Sequence, residues 1–144
     1  MTAQAVFAPI FVQVALTFVL WFWMGRARVQ AVSRGETRVS EIALGQLNWP
    51  PKVQQVTNAY INQLQLPVLF YLVVVLTYIV HQFDFLQLVL AWVFVLSRIV
   101  HAAIHTTSNY VLRRFQMFVF GGIVLLLMWI AFALRLYLGL VVTI

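Results

Sequence analysis

Four stretches of this chain stay apolar for about 20 residues each, the length an α-helix needs to cross the hydrocarbon core of a bilayer. They cover residues 6–24, 60–80, 85–105 and 115–138. The helices that contain them are predicted at about 6–24, 53–80, 85–108 and 114–141. Polar residues gather between the stretches. Arg26, Arg28, Arg34, Arg38 and Lys52 lie in the first connection, and Arg113 and Arg114 close the short third one. The second connection, around His81 to Asp84, has no Lys or Arg, and neither has the segment before the first stretch. Basic loops face the cytoplasm, so loops one and three are expected there, with both termini opposite. Arg135 is the basic residue on the wrong side, and it is expected to snorkel to the interface.

Composition fits this pattern. Of 144 residues, 64% are hydrophobic and 8% charged, with a formal net charge of +6. Soluble domains are about half apolar and a quarter charged. A chain this poor in charge has no surface to offer water, and disorder needs the opposite composition. No dense Lys/Arg stripe supports nucleic-acid binding. The pattern therefore predicts an all-α integral membrane protein, a four-transmembrane-helix bundle forming a single domain over residues 1–144. With no cysteine there is no disulfide framework, thiolate metal site or cysteine nucleophile.

The first apolar stretch is not read as a cleaved signal. No basic residue precedes it, its run exceeds an h-region, and no small-x-small site follows. Residues 40–47 of the first loop are expected to form a short helix, and Pro50-Pro51 to end it and open the next. Trp21, Trp23 and Trp49 fit an interfacial aromatic belt. No internal repeat or low-complexity segment stands out.

The candidate chemistry lies in polar residues at membrane depth, which are costly and so face other helices or a wet cavity. On the third helix Arg98, His101, His105 and Asn109 are spaced three, four and four, within an arc of roughly 80°. On the second, Gln55, Asn58, Asn62 and Gln65 are spaced three, four and three and share a face too. Pro67 follows and frees the carbonyl of Gln63, so a kink beside a cavity is expected there. Facing each other, the two stripes make a cationic, amide-lined pocket that suits an anionic or zwitterionic ligand. The competing reading is that the amides act as interhelical glue worth roughly 0.6 kcal/mol each. His101 and His105 are four apart, as two metal ligands on one helix face would be. A metal site needs further ligands at that depth, and the three acidic residues lie in loops with His81 at the opposite face, so none is assigned. Haem finds no further support.

At these residues a family resemblance appears. The stretch Asn62-Gln-Leu-Gln65-Leu-Pro67-Val-Leu-Phe70-Tyr71 resembles the second-helix signature of the MAPEG superfamily, the membrane-associated proteins in eicosanoid and glutathione metabolism. Residues 91–105, from Ala91-Trp92 through Arg98 and His101 to His105, resemble its third helix; Asn109 and Arg113-Arg114-Phe115 continue the match. The likeness is to bacterial members whose substrates are unassigned. It implies a homotrimer in a bacterial inner membrane, with glutathione as co-substrate between subunits near the cytoplasmic side. It further implies that Arg114, with Arg113 the second choice, stabilises the thiolate, and that Arg98, His101, His105, Asn62 and Gln65 contact the ligand. Gln65 stands where relatives have glutamate, Gln55 and Asn58 where they have arginines, and Leu66 where they have tyrosine. Two functions follow. One is a glutathione S-transferase or peroxidase acting on lipophilic electrophiles. The other is a non-catalytic scaffold: an accessory subunit of a larger membrane complex, or a module that binds membrane lipids or a small molecule. A transporter is disfavoured, because the polar residues cluster toward one side.

Overall fold

The computed structural model describes residues 1–45 and 48–139. Its elements are α1 (Ala3–Ser33), a 3-10 turn (Val39–Glu41), α2 (Pro51–Asn62), α3 (Leu66–Ile79), α4 (Phe85–Thr106) and α5 (Val111–Leu138). Helices α2 and α3 are two halves of one interrupted span, so four helical spans are long and apolar enough to cross a membrane. There is no strand among the described residues.

Helix α1 runs nine residues past the expected end at Met24, because its apolar stretch ends before its helix-forming stretch does. Residues 25–33 contain no proline and hold Ala, Arg, Val and Gln, which continue a helix readily. Arg26 and Arg28 are therefore helical rather than loop residues. The stop is a Schellman turn: Gly35, at φ 72°, donates its N–H to the Val32 carbonyl, and Glu36 donates to that of Ala31. At 1.5 Å per residue the helix is about 46 Å long, so its last turns stand beyond a 30 Å hydrocarbon core.

The loop that follows departs from the expected helix over residues 40–47. Only the 3-10 turn Val39–Glu41 forms, with Gly45 at φ 83° shortly after it; Gln46 and Leu47 lie outside the described residues. Pro50 and Pro51 then open α2.

The second span breaks where Pro67 predicts. Gln63, Leu64 and Gln65 are non-helical, and the N–H groups of Gln63 and Leu64 bond back three residues to Tyr60 and Ile61. The Gln63 side chain is buried and accepts a 2.9 Å bond from Gln13 Nε2 of α1. The break is thus held by an intramembrane amide pair.

Helix α4 starts at Asp84, whose Oδ1 accepts from the Gln87 N–H at 2.9 Å. It ends at Thr106, two residues earlier than expected. Helix α5 begins at Val111, three residues earlier than expected, which puts Arg113 and Arg114 in its first turn instead of in the loop. Gly139, left-handed at φ 60°, ends it; the expected extension to residue 141 lies outside the described residues.

The core sits in the half of the bundle near the α3–α4 connection. Phe70, Val73 and Val74 of α3 pack with Ala91, Phe94 and Val95 of α4 and with Val124, Leu125, Met128 and Phe132 of α5. Phe70 and Phe94 stack with centroids 4.7 Å apart. Toward the other end the apolar cluster shrinks to Leu20, Ala59 and Ala102, leaving room for polar groups.

Arg135 does not snorkel. It is buried and pairs with Asp84 Oδ2 at 2.5 Å, while its Nη1 donates to the Gln82 carbonyl at 3.2 Å. The ion pair clamps the end of α5 to the start of α4 on the side away from the polar cavity.

Candidate functional site

The C-terminal half of α4 places Arg98, His101 and His105 on one face, three and four residues apart, and all three are buried. Arg98 is wholly inaccessible. Its Nη2 donates to the side-chain oxygen of Asn62 and, at 3.5 Å, to the Asn62 carbonyl. That carbonyl sits at the end of α2, where the break begins. The interruption of the second span thus presents an acceptor to a buried cation. Nε and Nη1 of Arg98 have no partner. Phe118 of α5 covers the guanidinium, its ring centroid 5.9 Å away.

Asn62 is polarised by its two contacts. Its oxygen accepts a hydrogen bond from Arg98, and its Nδ2 donates to Gln65 Oε1 at 3.1 Å. His101 and His105 meet edge to face at 5.6 Å between centroids, and Nδ1 of each is buried without a partner. Among the described residues no cluster of three or more His, Cys, Asp or Glu could hold a metal ion.

Arg114 closes the site from α5. Its Nη1 donates to Asn109 Oδ1 at 2.6 Å. Asn109 lies in the four-residue α4–α5 connection at φ 51°, a left-handed conformation that asparagine tolerates better than most residues. The expected continuation of the α4 stripe to Asn109 is therefore replaced by a turn, which aims the side chain at Arg114.

These groups line one cavity with two lobes. The first, about 250 Å³, is bounded by Asn62, Gln65, His101, Arg114, Phe115 and Phe118 together with Val111. The second, about 300 Å³, is bounded by Asn58, Ile61, Asn62, Gln65, His105 and Arg114. Asn62, Gln65 and Arg114 belong to both. Of the sequence candidates, Asn58, Asn62, Gln65, His101, His105 and Arg114 line the cavity directly. Arg98 stands behind Asn62, and Asn109 behind Arg114. Arg113 lines neither lobe; it is exposed, with its guanidinium 5.7 Å from the Tyr110 ring centroid.

The charge balance of the cavity is one-sided. The chain has three acidic side chains, and each is engaged elsewhere: Glu36 with Arg34 and Glu41 with Arg38, both at 3.9 Å, and Asp84 with Arg135. Among the described residues no carboxylate reaches Arg98 or Arg114. One guanidinium at the cavity wall and one buried behind Asn62 therefore leave this end of the bundle with positive charge and no carboxylate to balance it.

The MAPEG family model matches residues 6–134, nearly the whole chain. This chain belongs to the MAPEG family. No curated protein and no solved structure matches it.

The match spans every residue that lines the cavity of this MAPEG protein. Sequence reasoning missed the cavity's aromatic wall, Phe115 and Phe118, though the signal was present: Phe118 follows Arg114 by four residues and so shares its helix face. It also placed Gln55 with the ligand-facing amides. Gln55 instead donates to the carbonyls of His105 and Thr107, at 2.7 and 3.2 Å, and Lys52 donates to that of Thr106 at 2.7 Å. Both satisfy the open C-terminus of α4. They tie the start of α2 to the end of α4, which brings Asn58 and Asn62 alongside His105 and Arg98.

Proposed function

We propose that this MAPEG protein is a membrane glutathione S-transferase or peroxidase in which Arg114 holds the sulfur of glutathione as thiolate. The supporting observation is the uncompensated charge of the cavity. Arg114 faces it, Arg98 stands behind Asn62 with Nε and Nη1 unpartnered, and the chain's three acidic side chains are paired with other arginines. A thiol with an ordinary pKa near 8.5 is mostly protonated at neutral pH. A fixed cation in a site of low dielectric favours the anion, and each pKa unit of lowering corresponds to about 1.4 kcal/mol. Asn109 keeps Arg114 on target. Arg98, acting through Asn62, and the imidazoles of His101 and His105 supply donors for a carboxylate of the peptide. Gln65 offers an amide in place of a carboxylate.

The thiolate then attacks a lipophilic partner arriving from the bilayer. With an electrophilic carbon, a C–S bond forms and the leaving group departs with its electron pair. With a hydroperoxide, sulfur bonds to the terminal oxygen as the O–O bond breaks, the alkoxide leaves and takes a proton from water, and a second glutathione converts the sulfenic acid to the disulfide and water. Val111, Phe115 and Phe118 give the cavity the apolar wall such a substrate needs. In this reading the basic connections face the cytoplasm, where glutathione is available, and three copies of the chain assemble so that a neighbour covers the exposed side of Asn58, Gln65 and Phe115.

The test is a titration of the purified protein in detergent with reduced glutathione, following ultraviolet thiolate absorbance. A saturable signal in wild type that is lost in Arg114→Ala and kept in Arg113→Ala is expected. Absence of a signal from folded protein at millimolar glutathione overturns the enzyme reading. It favours the second reading, a non-catalytic scaffold or binding subunit. That alternative draws on one observation: Lys52, the one charged residue of the second span, is committed with Gln55 to the end of α4, which leaves that span without a free charged anchor for the peptide.

A further inference from the structure

Where α1 leaves the bundle, Arg28, Val29, Val32, Ser33 and Trp49 enclose a groove of about 360 Å³. It is separate from the cavity at Arg114. The Arg28 guanidinium lies over the Trp49 ring, 5.0 Å from its centroid. Arg28 is half-buried, and its Nε is covered and has no hydrogen-bond partner. Among the described residues no carboxylate is left for it, since Glu36, Glu41 and Asp84 are taken by Arg34, Arg38 and Arg135. The cation is held in place without a counter-charge.

The depth of the groove is informative. The apolar run of α1 ends at Met24, and Arg28 lies one helical turn, about 6 Å, beyond it. The exposed indoles of Trp21 and Trp23 mark the edge of the hydrocarbon just before. Arg28 therefore stands at headgroup level. The walls beside it are apolar: Val29 is 69% exposed, and Val32 and the Trp49 ring flank it. A forked donor at headgroup depth above an apolar wall matches a phosphodiester with an acyl chain attached.

We propose that this groove binds one anionic phospholipid, its phosphate on Arg28 and its first acyl carbons against Val29, Val32 and Trp49. The apolar wall assigns the ligand to the lipid and not to free phosphate. Arg26 provides the internal control. It lies two residues away, on the opposite side of the helix, and is exposed.

The experiment places the full-length protein in nanodiscs of phosphatidylcholine containing a minority of phosphatidylglycerol, extracts it with mild detergent, and counts retained lipids by native mass spectrometry. Wild type is expected to retain phosphatidylglycerol about fivefold over its share of the bilayer, the preference one well-placed arginine gives. Arg28→Gln is expected to bring that close to parity, and Arg26→Gln to leave it unchanged. Equal losses in the two variants would reduce the effect to diffuse surface charge and overturn the proposal, as would no preference in wild type. Excess glycerol phosphate should displace nothing; displacement would make the ligand a soluble phosphate. A measurement on wild type alone guards against a folding defect. Phosphatidylglycerol with a photoreactive headgroup should cross-link to the segments holding Arg28 to Ser33 or Trp49, and cross-links confined to other segments would sink the assignment.

Discussion

Helices α4 and α5 approach closely at Gly121, and these two helices also hold the cavity between them, since α4 carries His101 and His105 while α5 carries Arg114 and Phe118. A Cβ at position 121 would lie 2.7 Å from Ser97 Oγ but 3.8 Å from Ser97 Cβ. The first distance is a clash and the second is ordinary van der Waals contact, so the conflict is with the hydroxyl alone. Ser97 Oγ is buried and donates to the Phe94 carbonyl at 2.6 Å. Gly121→Ala must therefore either push the helices apart, at about 1–3 kcal/mol, or rotate the hydroxyl away from its acceptor, at about 0.5–1.5 kcal/mol. Against this stands a gain of about 1 kcal/mol from replacing glycine within a helix. The single change is expected to leave stability level or lower it by up to about 2 kcal/mol. In a Ser97→Ala background the clash is gone, the helical gain stands alone, and the same change should stabilise by about 1 kcal/mol. Reversible unfolding in mixed micelles, followed by circular dichroism on all four proteins, gives the coupling between the two sites. A coupling of about 0.5–3 kcal/mol is expected, the range of the two relaxation costs, and additivity to within about 0.3 kcal/mol would refute the close approach of the two helices.

Asp84 should separate into two contributions by the same assay. Asp84→Asn keeps the bond to the Gln87 N–H but strips Arg135 of its counter-charge, at a cost of about 2–3 kcal/mol, while Asp84→Ala loses the cap as well, for about 1 kcal/mol more. Gln13→Leu leaves Gln63 Oε1 without its donor, while Gln63 Nε2 keeps the Ala59 carbonyl, and should cost about 1–2 kcal/mol. Adding Gln63→Leu should restore most of that loss, and no recovery would show that the amide pair is not the relevant contact. Asn109→Gly keeps a backbone that accepts positive φ but frees Arg114, so thiolate affinity should fall with stability nearly unchanged. Asn109→Ala should lower both, with about 1 kcal/mol of strain; a normal thiolate signal in either variant would remove Asn109 from the positioning of Arg114.

The four spans, the interruption at Pro67 and the shared face of Arg98, His101 and His105 are readable in the order of residues alone. These are local properties. Apolar length sets a span, a missing N–H breaks a ladder, and a period of 3.6 residues sets which side chains point together. The shared face of Asn58 and Asn62 was legible for the same reason, whereas Gln65 lies in the break beyond α2 and joins them through its bond from Asn62 Nδ2. Tertiary structure decided which partner each polar group finds. Gln55 has the spacing of a ligand-facing amide, yet it caps α4 because the start of α2 lies beside the end of α4. Arg135 looked misplaced until the packing brought Asp84, 51 residues earlier, against it. Arg113 and Arg114 are neighbours with the same chemistry. Only the entry angle of α5 and the left-handed turn at Asn109 turn the second into the cavity and leave the first on Tyr110. Burial of an apolar face is non-directional and is recorded along the chain itself. A hydrogen bond or ion pair requires two atoms within about 3 Å, and which atoms those are depends on which helices become neighbours.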